Sequence, residues 1–158
     1  MVVAGNRIPF SRAGGAYANA SNQDMLTAAI DGLVARTGIA GERLGAVAAG
    51  AVIKHSRDFN LTRESVLGSA LDPATPAYDV QMACATGMET VSSISNKIRL
   101  GQIEAGIAGG VDSSSDAPIA VSEGLRRALL KLQRAKTTTQ KLKALKNLRP
   151  NDLVPSAP

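Results

Sequence analysis

Pro76-Ala77-Tyr78-Asp79-Val80-Gln81-Met82-Ala83-Cys84-Ala85-Thr86-Gly87-Met88-Glu89 is the stretch on which the reading of this chain turns. Ala77 to Gln81 has the character of a strand. From Cys84 to Leu100 the pattern becomes helical, with Met88, Val91, Ile94 and Ile98 on one stripe and Gly101 behind them. Working outward, Leu44 to Ile53 is small, apolar and uncharged, as in a strand buried on both faces of a parallel sheet. Thr62 to Leu71 reads as a short helix, broken by Asp72-Pro73 and Pro76. Ile103 to Val111 reads as a Gly-rich buried strand. Upstream, Ser21 and Asp24 form a capping-box pattern. Met25, Leu26, Ala29, Ile30, Leu33 and Val34 then recur at helical spacing, and Gly38 closes the helix. Val2-Val3-Ala4-Gly5 is expected as a first strand, stopped by Pro9, with a loop over Ser11 to Ala20. The order β-α-β-α-β-α-β predicts an α/β fold with a mostly parallel sheet and helices on both faces.

Composition narrows the class further. The 158 residues are about one domain's worth. With 44% hydrophobic but only 3% aromatic residues, the core must be aliphatic. No run approaches the roughly 18 apolar residues that cross a bilayer, and the opening residues lack the pattern of a secretory signal. One cysteine, Cys84, excludes an internal disulfide framework and a cysteine-clustered zinc site, and one histidine, His55, excludes sites needing two. A cytoplasmic protein without a bound metal or cofactor is expected.

After Ser115 the chain changes character. Between Arg126 and Arg149 stand nine Lys or Arg and no acid, interleaved with Leu129, Leu132, Leu142, Leu145 and Leu148 and interrupted by Thr137-Thr138-Thr139. The spacing suits an amphipathic helix pair. Three prolines then close the chain without periodicity, like a connector, so a truncated protein is expected. The expected division is an α/β domain over 1–116 and the start of a basic insert over 117–158.

Cys84 is the leading candidate for chemistry. A thiol where a strand feeds a helix lies beside the orphan N–H groups of the first turn, which favour negative charge and so the nucleophilic thiolate. The same N–H groups suit an oxyanion formed on an acyl substrate, where one donor is worth ~3–4 kcal/mol in the transition state. Gly87 allows close approach. The alternative is an inert thiol packed beside Ala83 and Ala85. His55, between Lys54 and Arg57, reads as a solvated loop side chain rather than a base for Cys84. Arg12 and Arg57 read as single exposed charges. Asp112 to Asp116 offers polar ligands for a cation, but reads first as a turn whose hydroxyls cap the chain ahead of Pro118. Gly109-Gly110 lacks the spacing of a phosphate loop.

The Pro76–Glu89 run resembles the nucleophile segment of the thiolases, in which Val-Asn/Gln-x-x-Cys-x-Ser/Thr-Gly-Leu/Met surrounds the acylated cysteine. Further landmarks follow in the family's order: Gly5-Asn6-Arg7-Ile8-Pro9-Phe10, Asn60-Leu61-Thr62-Arg63-Glu64, and Gly109-Gly110-Val111-Asp112-Ser113-Ser114-Ser115-Asp116-Ala117-Pro118. The nearest subgroup resembles the β-subunits of fatty-acid oxidation complexes, whose insert the basic 126–149 segment is also similar to. The resemblance implies the first βαβαβαβ half of a thiolase and Cys84 as the acyl-accepting nucleophile. It implies coenzyme A thioesters as substrates rather than a resident cofactor. The reaction would be thiolysis of 3-ketoacyl-CoA or Claisen condensation of acetyl-CoA. The family's activating His, its second His and its second Cys lie in a later part with no counterpart here, so this chain alone is expected to be inactive. A homo-oligomer meeting near Ala77 to Gln81 is implied. An oxidation-complex α-subunit or a membrane surface is implied as a partner for the basic segment, and nucleic acid is not expected, because no aromatic residues are interleaved. β-Ketoacyl synthases share the Ala83-Cys84-Ala85-Thr86-Gly87 pattern and stand as the runner-up, followed by a non-catalytic assembly module.

Overall fold

The computed structural model describes residues 1–146 and 148–153. They divide into two compact units, one over Met1–Ala117 and one from Pro118 onward.

The first unit begins with an extended segment and a loop, then helix α1 (Asn22–Thr37). Its start is held as the sequence predicts. The Ser21 hydroxyl accepts from the Asp24 N–H, and the Asp24 carboxylate accepts from the Ser21 N–H. The Ser21 hydroxyl, donating to the same carboxylate at 2.7 Å, and the Ser21 N–H together hold the Asp24 carboxyl below its ordinary value. Gly38 ends the helix at φ 72°, a left-handed conformation that glycine adopts without penalty. Strands β1 (Ala46–Ala49), β2 (Ala77–Asp79) and β3 (Gly106–Ala108) form a parallel sheet in the order β2-β1-β3. Val47 pairs with Ala77 on one side and Ile107 on the other.

Central strand β1 is buried throughout, as its uncharged sequence predicts. Val47 and Ala49 pack with Leu26, Ile30 and Val34 of α1 and with Leu61 and Val66 of α2 (Leu61–Leu67). Ala46 and Ala48 face the other way, onto Ile94 of α3 (Thr86–Arg99). This is the expected three-layer α/β/α arrangement.

Three expectations need correction. Val2 to Gly5 forms no strand: Val2 and Val3 are 84% and 82% exposed, and a cleft of about 430 Å³ lies between residues 1–6 and the residues of β3. With no ladder partner at hand, β propensity alone does not make a strand. The segment is instead tied to α1, where the Asn6 side-chain amide donates to the Ala29 carbonyl and Arg36 to that of Gly5. Gly32 leaves room for Asn6, whose amide nitrogen would lie 2.2 Å from an added Cβ. Second, the short helix ends at Gly68, well before Asp72-Pro73. Third, α3 does not bury the Met88-Val91-Ile98 stripe. Met88 is 79% exposed, and the buried positions are Thr86, Thr90 and Ile94. The sheet face there is lined by glycine: a Cβ on Gly50 or Gly106 would meet Thr86 or Ile94 at 2.9 to 3.0 Å. The helix sits close enough that small side chains fill the contact.

In the second unit, α4 (Glu123–Arg134) and α5 (Thr138–Leu145) form the expected helix pair. Ser122 caps α4, and its hydroxyl also donates to the Asp152 carbonyl. Thr137 and Gln140 make a capping box for α5, so the threonine run is a helix start as well as a break. Of the interleaved leucines, Leu132 and Leu148 are half-buried, while Leu129, Leu142 and Leu145 remain exposed.

Candidate active site

The site is built on the chain between β2 and α3. Val80 continues the ladder by donating to the Ala49 carbonyl. The chain then turns at Met82-Ala83-Cys84-Ala85 and enters α3 at Thr86. Cys84 is exposed at this turn, immediately before Ala85, the residue that flanks the helix start. It is neither in mid-strand nor packed into the core beside Ala83 and Ala85, as a buried thiol would be.

The turn is tight. Ala83 lies at φ 45°, the one non-glycine residue at positive φ among those described. An L-residue in that region costs about 1–2 kcal/mol, so the surroundings must hold it there. The Ala85 N–H donates to the Met82 carbonyl at 3.0 Å and the Thr86 N–H to that of Ala83 at 3.1 Å. Gly50, at the end of β1, lies directly beneath: a Cβ there would stand 1.9 Å from the Val80 carbonyl oxygen. Gly110 is the neighbouring close approach, its would-be Cβ 3.3 Å from the Gly50 carbonyl oxygen and 3.9 Å from the Gly87 Cα. Gly87 itself faces open space, so packing does not demand it. The Thr90 hydroxyl, one turn along α3, is shared between the Gly87 carbonyl at 2.8 Å and that of Gly109, just past the third strand, at 3.0 Å. No side chain caps α3. Apart from the Thr86 N–H, which donates to the Ala83 carbonyl, the first-turn N–H groups of α3 have no side-chain cap, and an uncapped helix start of this kind favours an anion.

The other predicted residues are drawn into a structural clamp. His55 is not a free solvated side chain: its Nε2 lies 2.9 Å from the Asp116 carbonyl oxygen and 3.2 Å from its carboxylate. Arg57 is paired as well, with Asp116 and, at 3.8 Å, with buried Asp58. The Asp112 carboxylate accepts from the N–H groups of Val52 and Ile53 at 2.8 to 3.1 Å. Ser115 Oγ accepts from the Gly14 N–H, and Ser113 Oγ from that of Ser115. The 112–116 stretch thus closes the loop after β1 and the loop before α1, as the turn reading expects. Among the described residues no three His, Cys, Asp or Glu side chains converge as metal ligands. Arg12 lines a cleft of about 730 Å³ with Arg7, Tyr17 and Asp112.

Two contributors were not singled out by sequence reasoning. Asp79 accepts from the Thr62 N–H at 2.8 Å, fixing the start of α2, and pairs with Lys54 at 3.1 Å. Thr86 braces the turn itself. A Thr two residues after the cysteine, at a strand-to-helix junction, is the signal that marks it, since such hydroxyls bond local backbone. In the second unit, the acidic complement that the 126–149 segment itself lacks stands just ahead of it. Glu123 accepts from Arg126 and Arg127, and these bonds lower its carboxyl to about 2.

Fold and site together define an α/β protein with an exposed cysteine on a braced strand-to-helix elbow. Residues 1–152 match the family model for the thiolase N-terminal domain, and the chain belongs to the thiolase family. It is 42% identical over 156 residues to a 3-ketoacyl-CoA thiolase of Pectobacterium carotovorum, and 38% identical over 157 residues to one of Photorhabdus laumondii. Each match covers 99% of this chain and 36% of the relative, so the chain spans about a third of the length of the curated relatives it matches. The crystal structure of the Bacillus anthracis acetyl-CoA acetyltransferase superposes with a TM-score of 0.65 at 27% identity, over 70% of this chain and 28% of that one. The family read from the Cys84 segment is borne out, and membership sets the β-ketoacyl synthase alternative aside. Among the described residues no helix is long and apolar enough to cross a membrane.

Proposed function

We propose that this chain is the nucleophile-bearing amino-terminal portion of a 3-ketoacyl-CoA thiolase, with Cys84 as the residue acylated. The observation that carries this reading is the exposure of the chain's single thiol on a strained turn at the opening of α3. In thiolysis the Cys84 sulfur attacks the C3 carbonyl of a 3-ketoacyl-CoA, and the first-turn N–H groups stabilise the oxyanion. The C2–C3 bond then breaks, and its electron pair leaves as the enolate of acetyl-CoA, which takes a proton. The thiolate of a second coenzyme A displaces the acyl group from Cys84 and restores the free thiol. Condensation of two acetyl-CoA molecules is the reverse.

The proton donor in that scheme is the family's second cysteine, and Cys84 is the only cysteine here. The 158-residue chain is accordingly expected to accept an acyl group without turning over. Edge strand β2 is where a second copy would meet it, in the cytoplasm, next to the acylated turn. The basic 126–149 segment suits an acidic surface, either an oxidation-complex α-subunit or an anionic membrane.

Incubation of the purified chain with acetyl-CoA tests the reading. Peptide mass spectrometry is expected to find one acetyl group on Cys84 with an equivalent of coenzyme A released, none in a Cys84→Ser variant, and no sustained cleavage of acetoacetyl-CoA. Acetylation confined to lysines would overturn it in favour of a non-catalytic assembly module.

A further inference from the structure

We propose that Thr86 is the positioning residue for Cys84, acting as a latch that holds the nucleophile turn in its strained shape. The inference rests on the reading of Cys84 as the acyl acceptor and extends it to the residue that aims the sulfur. The Thr86 side chain is nearly fully buried, yet its hydroxyl serves no helix N–H group. It is used entirely on the preceding turn. Oγ1 accepts from the Met82 N–H at 2.9 Å and donates to the Ala83 carbonyl at 2.8 Å. One atom thereby ties the residue that enters the turn to the residue at φ 45°, and Cys84 is the next residue along. The Ala83 carbonyl receives a second bond from the Thr86 N–H, so the strained peptide is held from both the side chain and the main chain of one residue. The methyl group points the other way, toward Gly50, where an added Cβ would meet Thr86 Cγ2 at 2.9 Å. Thr86 is thus seated against the sheet through its methyl and grips the turn through its hydroxyl.

A latch of this kind makes a demand that ordinary packing does not. Removing the hydroxyl frees Ala83 to relax toward negative φ, which reorients the next residue, Cys84, relative to the start of α3. Replacing Ala83 with glycine, which tolerates positive φ, should compensate.

The experiment measures the rate at which iodoacetamide alkylates the folded 158-residue chain at one pH. Cys84 is its only thiol, so thiol loss reports that residue alone. Thr86→Val is expected to slow alkylation by about tenfold or more, since small misplacements of reacting groups carry costs of this order. Thr86→Ser, which keeps the hydroxyl, should remain within about twofold of the parent, and Ala83→Gly in the Thr86→Val background should recover most of the loss. Thr90→Val removes an equally buried hydroxyl from the same helix, and is expected to lower the melting temperature while leaving the rate within about twofold. If Thr86→Val alone fails to fold, the double variant compared with Ala83→Gly alone carries the test, with a rate difference much smaller than the tenfold above expected. A parent-like rate in Thr86→Val, an equal slowing in Thr90→Val, or no recovery on adding Ala83→Gly overturns the latch. A parent chain that alkylates more slowly folded than unfolded in urea instead overturns the reading of Cys84 on which the latch rests.

Discussion

Gly50→Ala is the substitution that strikes hardest at the coupling between sheet and site. Gly50 follows β1, and its Cα lies beneath the carbonyl of Val80, which leads into the cysteine turn. A methyl there would stand 1.9 Å from the Val80 oxygen, 3.0 Å from its carbonyl carbon and 2.9 Å from Thr86 Cγ2. Ordinary contact begins at 3.4 Å, so relief needs a shift of 3.4 − 1.9 = 1.5 Å. The obstructing atom belongs to backbone, and the Val80 N–H is itself bonded to the Ala49 carbonyl at 2.8 Å. The strain cannot be shed by rotating a side chain. Overpacking in a well-filled core costs about 1–3 kcal/mol, and a backbone obstacle places this case at the upper end, about 3 kcal/mol. Urea unfolding followed by circular dichroism should show a lower midpoint at unchanged slope, and the displaced turn should also slow iodoacetamide alkylation of Cys84. Gly110→Ala is the matched control, since its nearest obstacle is 3.3 Å away. A Gly50→Ala chain as stable as the parent would refute the claim that the end of β1 props the turn.

Other perturbations separate structure from chemistry. Gly87→Ala meets nothing within 4 Å and lies inside α3, so it should raise stability by up to about 0.5–1 kcal/mol in urea titration while slowing acetylation of Cys84 by acetyl-CoA. Asp112→Ala removes the acceptor of the Val52 and Ile53 N–H groups, and because Asp112 is exposed the cost should be about 1 kcal/mol by thermal unfolding. The Glu123 carboxyl is held near 2 against an ordinary 4.5 by Arg126 and Arg127. Its contribution is therefore present above about pH 4.5 and lost as the pH falls toward 2. Helicity followed by circular dichroism should fall less steeply through that window in Glu123→Gln than in the parent.

Much of the first unit could be read from residues alone, for reasons that lie in local chemistry. Ser21, Asp24 and Gly38 bound α1 because capping and left-handed termination are decided within a few residues. The uncharged Ala46–Ala49 run is a central strand because only a strand covered on both faces can dispense with polar side chains. Where the reading failed, the deciding partner was distant. Val2-Val3 has strand composition, but a strand exists only by pairing, and a cleft separates it from the residues of β3. The Met88-Val91-Ile98 stripe has the right period and yet stays largely exposed. The close approach of α3 is set by Gly50 and Gly106 on other segments, which meet Thr86 and Ile94 at the contact. At the site, the position of Cys84 followed from the strand-to-helix pattern. The partners of His55, Arg57 and Asp112 did not, because those pairs lie about sixty residues apart in the chain. Thr86 carries no hydrophobic period, so only its place two residues after Cys84 at the strand-to-helix junction marks it.

The central claim is that folding makes the Cys84 sulfur both reachable and more reactive than the same sulfur in an open chain. The most direct measurement is the rate of iodoacetamide alkylation at neutral pH in the native chain, divided by the rate in the same chain unfolded in urea. The account predicts a ratio above one with complete modification of the native thiol. A ratio well below one, with modification following the unfolding transition, would contradict it.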